Sequence, residues 1–281
     1  METLVLTVAV GLVVGILSGL LGIGGGTLMV PIFRLGFGLS AFASTATSLF
    51  TIIPTSLVGF VTHIKNKTCI PQLGIVCGLA GACTSPIGVY LANLSPAWMV
   101  MLAAALIIGY SSFKMFRKAV RMPKNPPSGK AMGVDVEKAA VKAAVMEEDS
   151  GESVFELTRS TLPKAIAIGL TAGLASGYVG VGGGFLMVPL FVSVLGVMMR
   201  KASGTSLIAI MILAIPGVIE QGFLGNIDYM AGIAMAVGSI PGAVIGANLV
   251  RCVPERQLRF IFGAFLLISA VVLLGNEIAA L

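Results

Sequence analysis

Long apolar runs separated by short polar stretches fill most of the chain. They cover about residues 4–33, 43–62, 73–91 and 97–113, then about residues 163–194, 204–219, 229–250 and 258–274. A bilayer core takes about 20 helical residues, and none of the runs shows the period-two alternation of barrel strands. The pattern therefore predicts membrane helices in two sets of four. Between the sets, residues 121–160 carry Pro123, Pro126, Pro127 and alternating charges. This reads as a solvated cytoplasmic linker, with one short surface helix over residues 135–148. The expected organisation is an N-terminal transmembrane repeat (1–120), the linker (121–160) and a C-terminal transmembrane repeat (161–281).

The first run of each set is broken by glycine. Gly-x-Gly-Gly-Gly-x-Leu-Met-Val-Pro stands at residues 22–31 and again at 180–189, an offset of 158. Thr47-Ser48-Leu49 returns as Thr205-Ser206-Leu207 at the same offset. Such a glycine cluster is poor helix, and unwound backbone at membrane depth survives only when buried in protein or lining a cavity. Paired breaks at matching points of two halves are the best sequence pointer to a transporter site.

Charge decides between two topologies. If each broken run crosses the membrane, the halves are parallel, and Arg34, Arg200, Lys201, Arg251, Arg256 and Arg259 fall outside. If each enters and returns on one face, each half has a re-entrant segment plus three transmembrane helices. Three is odd, so the halves become inverted repeats, and of the 18 Lys and Arg residues only Arg34 lies outside. The positive-inside rule favours the second arrangement. The fold expected is thus an all-α polytopic membrane protein of two inverted repeats. Its glycine tips should meet near the midplane, with residues 163–179 and 185–194 each shorter than a span.

Composition narrows the function. The chain of 281 residues is 57% hydrophobic and 11% charged, against roughly 25% charged in soluble domains. The net charge of +6 sits mostly in groups flanking the spans, which orients the chain and does not indicate nucleic acid. No P-loop, H-E-x-x-H or cysteine–histidine metal spacing occurs, so no enzyme, metal or cofactor is expected. Cys69, Cys77, Cys83 and Cys252 read as small packing residues.

A half-helix starting after each glycine cluster would aim free N–H groups and a positive dipole end at the tip. Gly24, Gly25, Gly26, Gly182, Gly183 and Gly184 are therefore candidates for backbone contact with a small anion. Thr47, Ser48, Thr205 and Ser206 are the candidate side-chain donors. Asn93 and Asn248 read as capping or inter-helix groups. His63 and Glu220, at nearly equivalent span ends, read as interfacial side chains in water, although a histidine there would also suit proton coupling. Pro31, Pro54, Pro86, Pro189, Pro216 and Pro241 should kink or end helices. Trp98 reads as an interface anchor.

The duplicated glycine motif resembles that of the TauE/SafE family of sulfite and organosulfonate exporters. The Lys-Ala-Ser-Gly-Thr-Ser-Leu stretch at 201–207 and Pro-Gly-Ala-Val-Ile-Gly-Ala at 241–247 are similar too. The first half lacks the basic residue that Lys201 supplies. The resemblance implies secondary transport of a small sulfur-containing anion, outward across the bacterial cell inner (cytoplasmic) membrane, coupled to an ion such as the proton. Partners implied are that anion and membrane lipid. The alternatives from the residues alone are a passive anion channel and a non-transporting membrane scaffold. The oligomeric state is not legible.

Overall fold

The computed structural model of the protein describes residues 2–120, 161–180 and 182–280. All regular structure among them is helical. The helices are α1 (Glu2–Leu21), α2 (Gly26–Phe37), α3 (Ala41–Lys65), α4 (Pro71–Leu94) and α5 (Ala97–Val120), then α6 (Leu162–Val179), α7 (Gly184–Val194), α8 (Met199–Phe223), α9 (Tyr229–Leu249) and α10 (Glu255–Ala280). Six of these are long and apolar enough to cross a membrane: α3, α4, α5, α6, α8 and α9. The expected surface helix at 135–148 lies outside the described residues.

Local chemistry sets the boundaries. The Ser40 side chain accepts from Ala43 N at the start of α3, and Asp228 does the same from Ala231 N at α9, which satisfies donors that a helix start leaves open. Proline stands in the first turn of α4 and of α6, where it removes no helical hydrogen bond. The six prolines expected to kink or end helices all lie inside α2, α3, α4, α7, α8 and α9.

Two glycine seams hold the bundle together. Gly11, Gly15 and Gly19 of α1 lie against Met235, Ser239 and Ala243 of α9, so the two helices run side by side in the same direction. In the same way Gly169, Gly173 and Gly177 of α6 lie against Cys77, Gly81 and Ser85 of α4. A Cβ on Gly15 would fall 2.2 Å from the Ser239 carbonyl oxygen, and one on Gly177 2.1 Å from that of Ser85. Only hydrogen fits, and the close approach gives packing that lipid cannot match.

The central pair is different. Gly59 of α3 lies by Leu207 of α8, while Gly217 lies by Leu49, so these helices cross head to tail. α5 and α10 also run head to tail: Ser112 Oγ donates to the Gly263 carbonyl at 2.7 Å, and the Phe116 ring meets the Phe260 ring edge-on. Exchanging the two halves turns α1–α9 contact into α6–α4 contact, and α3–α9 into α8–α4; all four pairs are present.

These directions define two faces. One holds the ends of α3, α5 and α9 and the starts of α4, α6, α8 and α10, with Lys65, Lys67, Arg117, Lys118, Lys164, Arg200, Lys201, Arg251 and Arg256; it is called the basic face below. The opposite face holds Glu220 and Asp228. Large apolar side chains such as Leu106, Phe113, Val237 and Val271 are exposed on the outer helix surfaces, as lipid contact requires.

The broken runs differ in one respect from the sequence expectation. α6 has 18 residues, enough to count as a span by itself, and α1 has 20. Only the second arms, α2 and α7 with 12 and 11 residues, are short. Each break therefore lies well along its run, because the helix persists until the first glycine that adopts a left-handed backbone.

Candidate functional site at the glycine elbows

Each elbow is built from three glycines with positive φ. In the first, Gly22, Gly24 and Gly25 take φ of 72°, 78° and 82°; in the second, Gly180, Gly182 and Gly183 take 71°, 86° and 70°. A residue with a Cβ is disfavoured in this region by about 1–2 kcal/mol per position, so the spacing of the glycines specifies the turn. Leu28 and Met29 N–H both return to the Gly25 carbonyl, as Leu186 and Met187 do to Gly183. The Gly26, Thr27 and Phe185 amides start their helices with no acceptor one turn behind them.

The elbows touch. A Cβ on Gly184 would lie 2.8 Å from the Gly22 carbonyl oxygen and 2.8 Å from Ile23 Cα. Gly24 and Gly182 pack against the same two side chains, Ile52 and Ile210, which stand at equivalent points midway along α3 and α8. The stretches 14–32, 49–56, 169–190 and 207–213, from which the elbows and their neighbours are drawn, contain no Lys, Arg, His, Asp or Glu.

The polarity comes from hydroxyls. Ser18, Thr27, Ser48, Ser56 and Ser176 have buried oxygens with no hydrogen-bond partner. Ser56 Oγ would lie 3.4 Å from a Cβ on Gly24, Ser18 Cβ 3.6 Å from one on Gly25, and Ser176 Cβ 3.3 Å from one on Gly183. An unpartnered buried hydroxyl costs about 1–3 kcal/mol; Ser18 and Ser56 beside the first elbow and Ser176 beside the second keep their donors free. The sequence reading missed Ser18, Ser56, Ser176 and Thr27. The 158-residue spacing of Ser18 and Ser176 was the available signal.

The predicted donors separate into two kinds. Ser48 shares a face of α3 with Ile52 and Ser56, one helical turn apart each, and the latter two touch the elbows. Thr47 sits one residue earlier and points to α9: its Oγ1 accepts from Asp228 N at 3.0 Å. Thr205 Oγ1 likewise accepts from Ile70 N at 2.9 Å. Both threonines cap the start of a neighbouring helix. Ser206 Oγ donates at 2.6 Å to the Gly22 carbonyl, with the Ser203 carbonyl also within reach at 2.8 Å. Asn248 accepts from Asn66 at 2.8 Å, and Asn93 lines a surface hollow with Tyr90, Glu220 and Asn226.

His63 overturns the expectation of an interfacial side chain in water, for it is fully buried. Its Nε2 lies 2.8 Å from the Gly19 carbonyl and its Nδ1 2.7 Å from Thr68 Oγ1. A carbonyl only accepts, so Nε2 carries the proton. Its counterpart at the 158 offset is Gln221, not Glu220.

A narrow crevice on the face opposite the basic one reaches the second elbow, lined by Thr45, Leu49, Gly177, Tyr178, Gly180 and Gln221 among others. Ile52 and Ile210 pack between the two elbows, against Gly24 and Gly182.

The sequence pattern of the family described as Sulfite exporter TauE/SafE matches residues 7–273. The chain belongs to this family. Among curated relatives of this TauE/SafE protein, the probable membrane transporter YdhB of Bacillus subtilis is 25% identical over 90% of this chain and 93% of its own. YunE of the same organism is 25% identical over 94% of each. The archaeal probable transporter MJ0441 of Methanocaldococcus jannaschii is 23% identical over 93% of this chain and 91% of its own. No solved structure matches. The chain is therefore a multi-pass membrane transporter of the TauE/SafE family, and its elbows lie within the matched region.

Proposed function

We propose that the protein is a secondary active transporter that exports a small sulfur-containing anion, sulfite or an organosulfonate, by alternating access. The observation carrying this reading is the contact of two glycine elbows with unpartnered buried hydroxyls, Ser18, Ser56 and Ser176, packed beside them. Gly24, Gly25, Gly26, Gly182, Gly183 and Gly184 would supply backbone contact, and Ser48, Ser18, Ser56 and Ser176 hydroxyl donors. Two helix starts, each worth about half a positive charge, together match one negative charge without a buried cation. The halves act as inverted repeats in this reading, each elbow entering from and returning to its own face. Head-to-tail crossing of the equivalent helices α3 and α8 supports that arrangement, and the charge distribution places the basic face in the cytoplasm.

The close packing of Ile52 and Ile210 against both elbows favours a transporter over an open channel. Alternating access then requires the elbows and the α3–α8 pair to move relative to each other, with an ion gradient such as the proton's as the energy source. The test is twofold. Binding to the purified protein is measured across sulfite, sulfate, sulfoacetate, taurine and simple carboxylates, and flux is followed in proteoliposomes with an imposed proton gradient. Uphill accumulation of one sulfur anion supports the proposal. Flux that only runs downhill assigns a channel, and no binding or flux assigns a scaffold.

A further inference from the structure

The two elbows are held differently. On the basic face, two core side chains bond to carbonyls at the end of α1: His63 Nε2 to Gly19 at 2.8 Å and Ser206 Oγ to Gly22 at 2.6 Å. The mirror positions are Gln221 with Gly177 and Ser48 with Gly180, each offset by 158. Neither mirror bond exists: Ser48 Oγ has no partner, and Gln221 instead lines the crevice beside Gly177 and Gly180.

The surroundings of the latch side chains are otherwise conserved between the halves. His63 is held by Thr68, whose N–H donates to the His63 carbonyl at 3.0 Å and whose Oγ1 meets Nδ1. Gln221 is held by Asn226, the counterpart of Thr68: its N–H donates to the Gln221 carbonyl at 3.1 Å and its Nδ2 to Gln221 Oε1 at 2.7 Å. With Oε1 so engaged, the amide nitrogen of Gln221 is the end left to donate to an elbow carbonyl.

We propose that His63 and Ser206 are a latch that shuts the first elbow on the basic face, and that Gln221 and Ser48 form the mirror latch in the opposite state. This rests on the alternating-access reading above. The structure is then the state closed on the basic face, with the opposite latch undone and its crevice open. In the exchange, the α6 end approaches Gln221 and Ser48 while the α1 end leaves His63 and Ser206. Gly204 packs flat on the His63 ring, where a Cβ would come 2.8 Å from Nδ1, so the imidazole is seated by a residue with no side chain. Its counterpart by Gln221 is Ala46.

The test reads the two faces separately and needs no substrate. In full-length protein with the native cysteines replaced, single cysteines are placed at Tyr178, which lines the crevice, and at its counterpart Leu20, which is buried. Labelling by a membrane-impermeant maleimide is followed in vesicles of both orientations. With the latch intact, Tyr178→Cys labels and Leu20→Cys does not. His63→Ala or Ser206→Ala should raise the Leu20→Cys rate by about tenfold, the shift expected from losing one buried hydrogen bond, and lower the Tyr178→Cys rate. His63→Gln, which keeps a donor, should restore the original pattern. Gln221→Ala should leave it unchanged, since that latch is already open.

An unchanged pattern in His63→Ala overturns the proposal, and so does a parallel rise at both positions, which would indicate loosening of the fold. The outcome is separable from that of the transport reading. A shifted pattern with no anion flux sinks transport and keeps the latch; flux with an unshifted pattern does the reverse.

Discussion

Gly184→Ala tests whether the elbows meet. Gly184 opens α7 with an ordinary helical backbone, so alanine there carries no penalty from positive φ. The added Cβ would lie 2.5 Å from Ile210 Cδ1 and 2.8 Å from both the Gly22 oxygen and Ile23 Cα. The isoleucine methyl can turn away, but the other two atoms belong to the backbone of the opposite elbow. Overpacking of this kind costs about 1–3 kcal/mol, partly offset by up to about 1 kcal/mol of helix propensity gained over glycine. Gly36→Ala supplies the control, because Gly36 of α2 has nothing within 4 Å of a Cβ. The difference between the two variants isolates the contact. At about 2–4 °C per kcal/mol for a chain of this size, and with the propensity gain common to both variants, Gly184→Ala should melt about 2–12 °C below Gly36→Ala, measured by thermal loss of the monodisperse peak of purified protein. Anion uptake should fall in Gly184→Ala and persist in Gly36→Ala. Equal melting of the two variants would refute contact between the elbows, and with it the shared site.

Four further outcomes separate structure from site. Thr205→Val should lower stability by about 1–3 kcal/mol by orphaning the Ile70 N–H, with the apparent KM for anion unchanged, and Thr47→Val should behave alike through Asp228 N. Ser48→Ala removes a hydroxyl that has no partner in the fold, so melting should hold while anion affinity drops about five- to tenfold, one hydrogen bond's worth. Glu255→Ala should cost about 3 kcal/mol, read in a melt, because Glu255 Oε1 accepts from Met199 N at 2.7 Å and from the buried Arg259 at 2.7 Å. Cys69 should resist maleimide at pH 7–8 while exposed Cys252 reacts, since burial pushes the Cys69 thiol up to about 11 and leaves almost no thiolate; mass spectrometry of the labelled protein decides.

The breaks, the all-helical membrane character and the family were legible because each is a property of one stretch of sequence. Four glycines in an apolar run cannot make continuous helix, and their recurrence 158 residues later fixes the two halves. The lengths of the arms were not legible, since α1 and α6 look like their surroundings until Gly22 and Gly180 turn left-handed. The seams were not seen either. Gly11, Gly15 and Gly19 lie one turn apart, but only contact with α9 shows that their face is used. The candidate donors divide into two sets for a geometric reason. Neighbouring residues on a helix point about 100° apart, so Thr47 and Ser48 cannot both face an elbow. The stripe of Ser48, Ile52 and Ser56 does; the stripe of Thr47, Thr51 and Thr55 bonds to Asp228, Gly232 and Ser239 of α9.

The departures from the repeat carry as much as the repeat itself. Thr27 is replaced by Phe185 and Ser56 by Ala214, so two of the unpartnered hydroxyls belong to the first elbow and have no mirror. His63 is replaced by Gln221, a side chain of similar reach with a weaker claim on a carbonyl. A perfect duplication would give two equal states and two equal half-sites. Here one latch is closed and one is open, and oxygen-bearing side chains gather on the elbow whose latch is closed. On the transport proposal, a ligand entering beside Gly180 would meet the second elbow first and would reach the richer set of donors only by displacing Ile52 and Ile210, which pack against both elbows. That displacement is the step by which binding could be coupled to the exchange of latches, because the same two helices carry both the isoleucines and the latch residues.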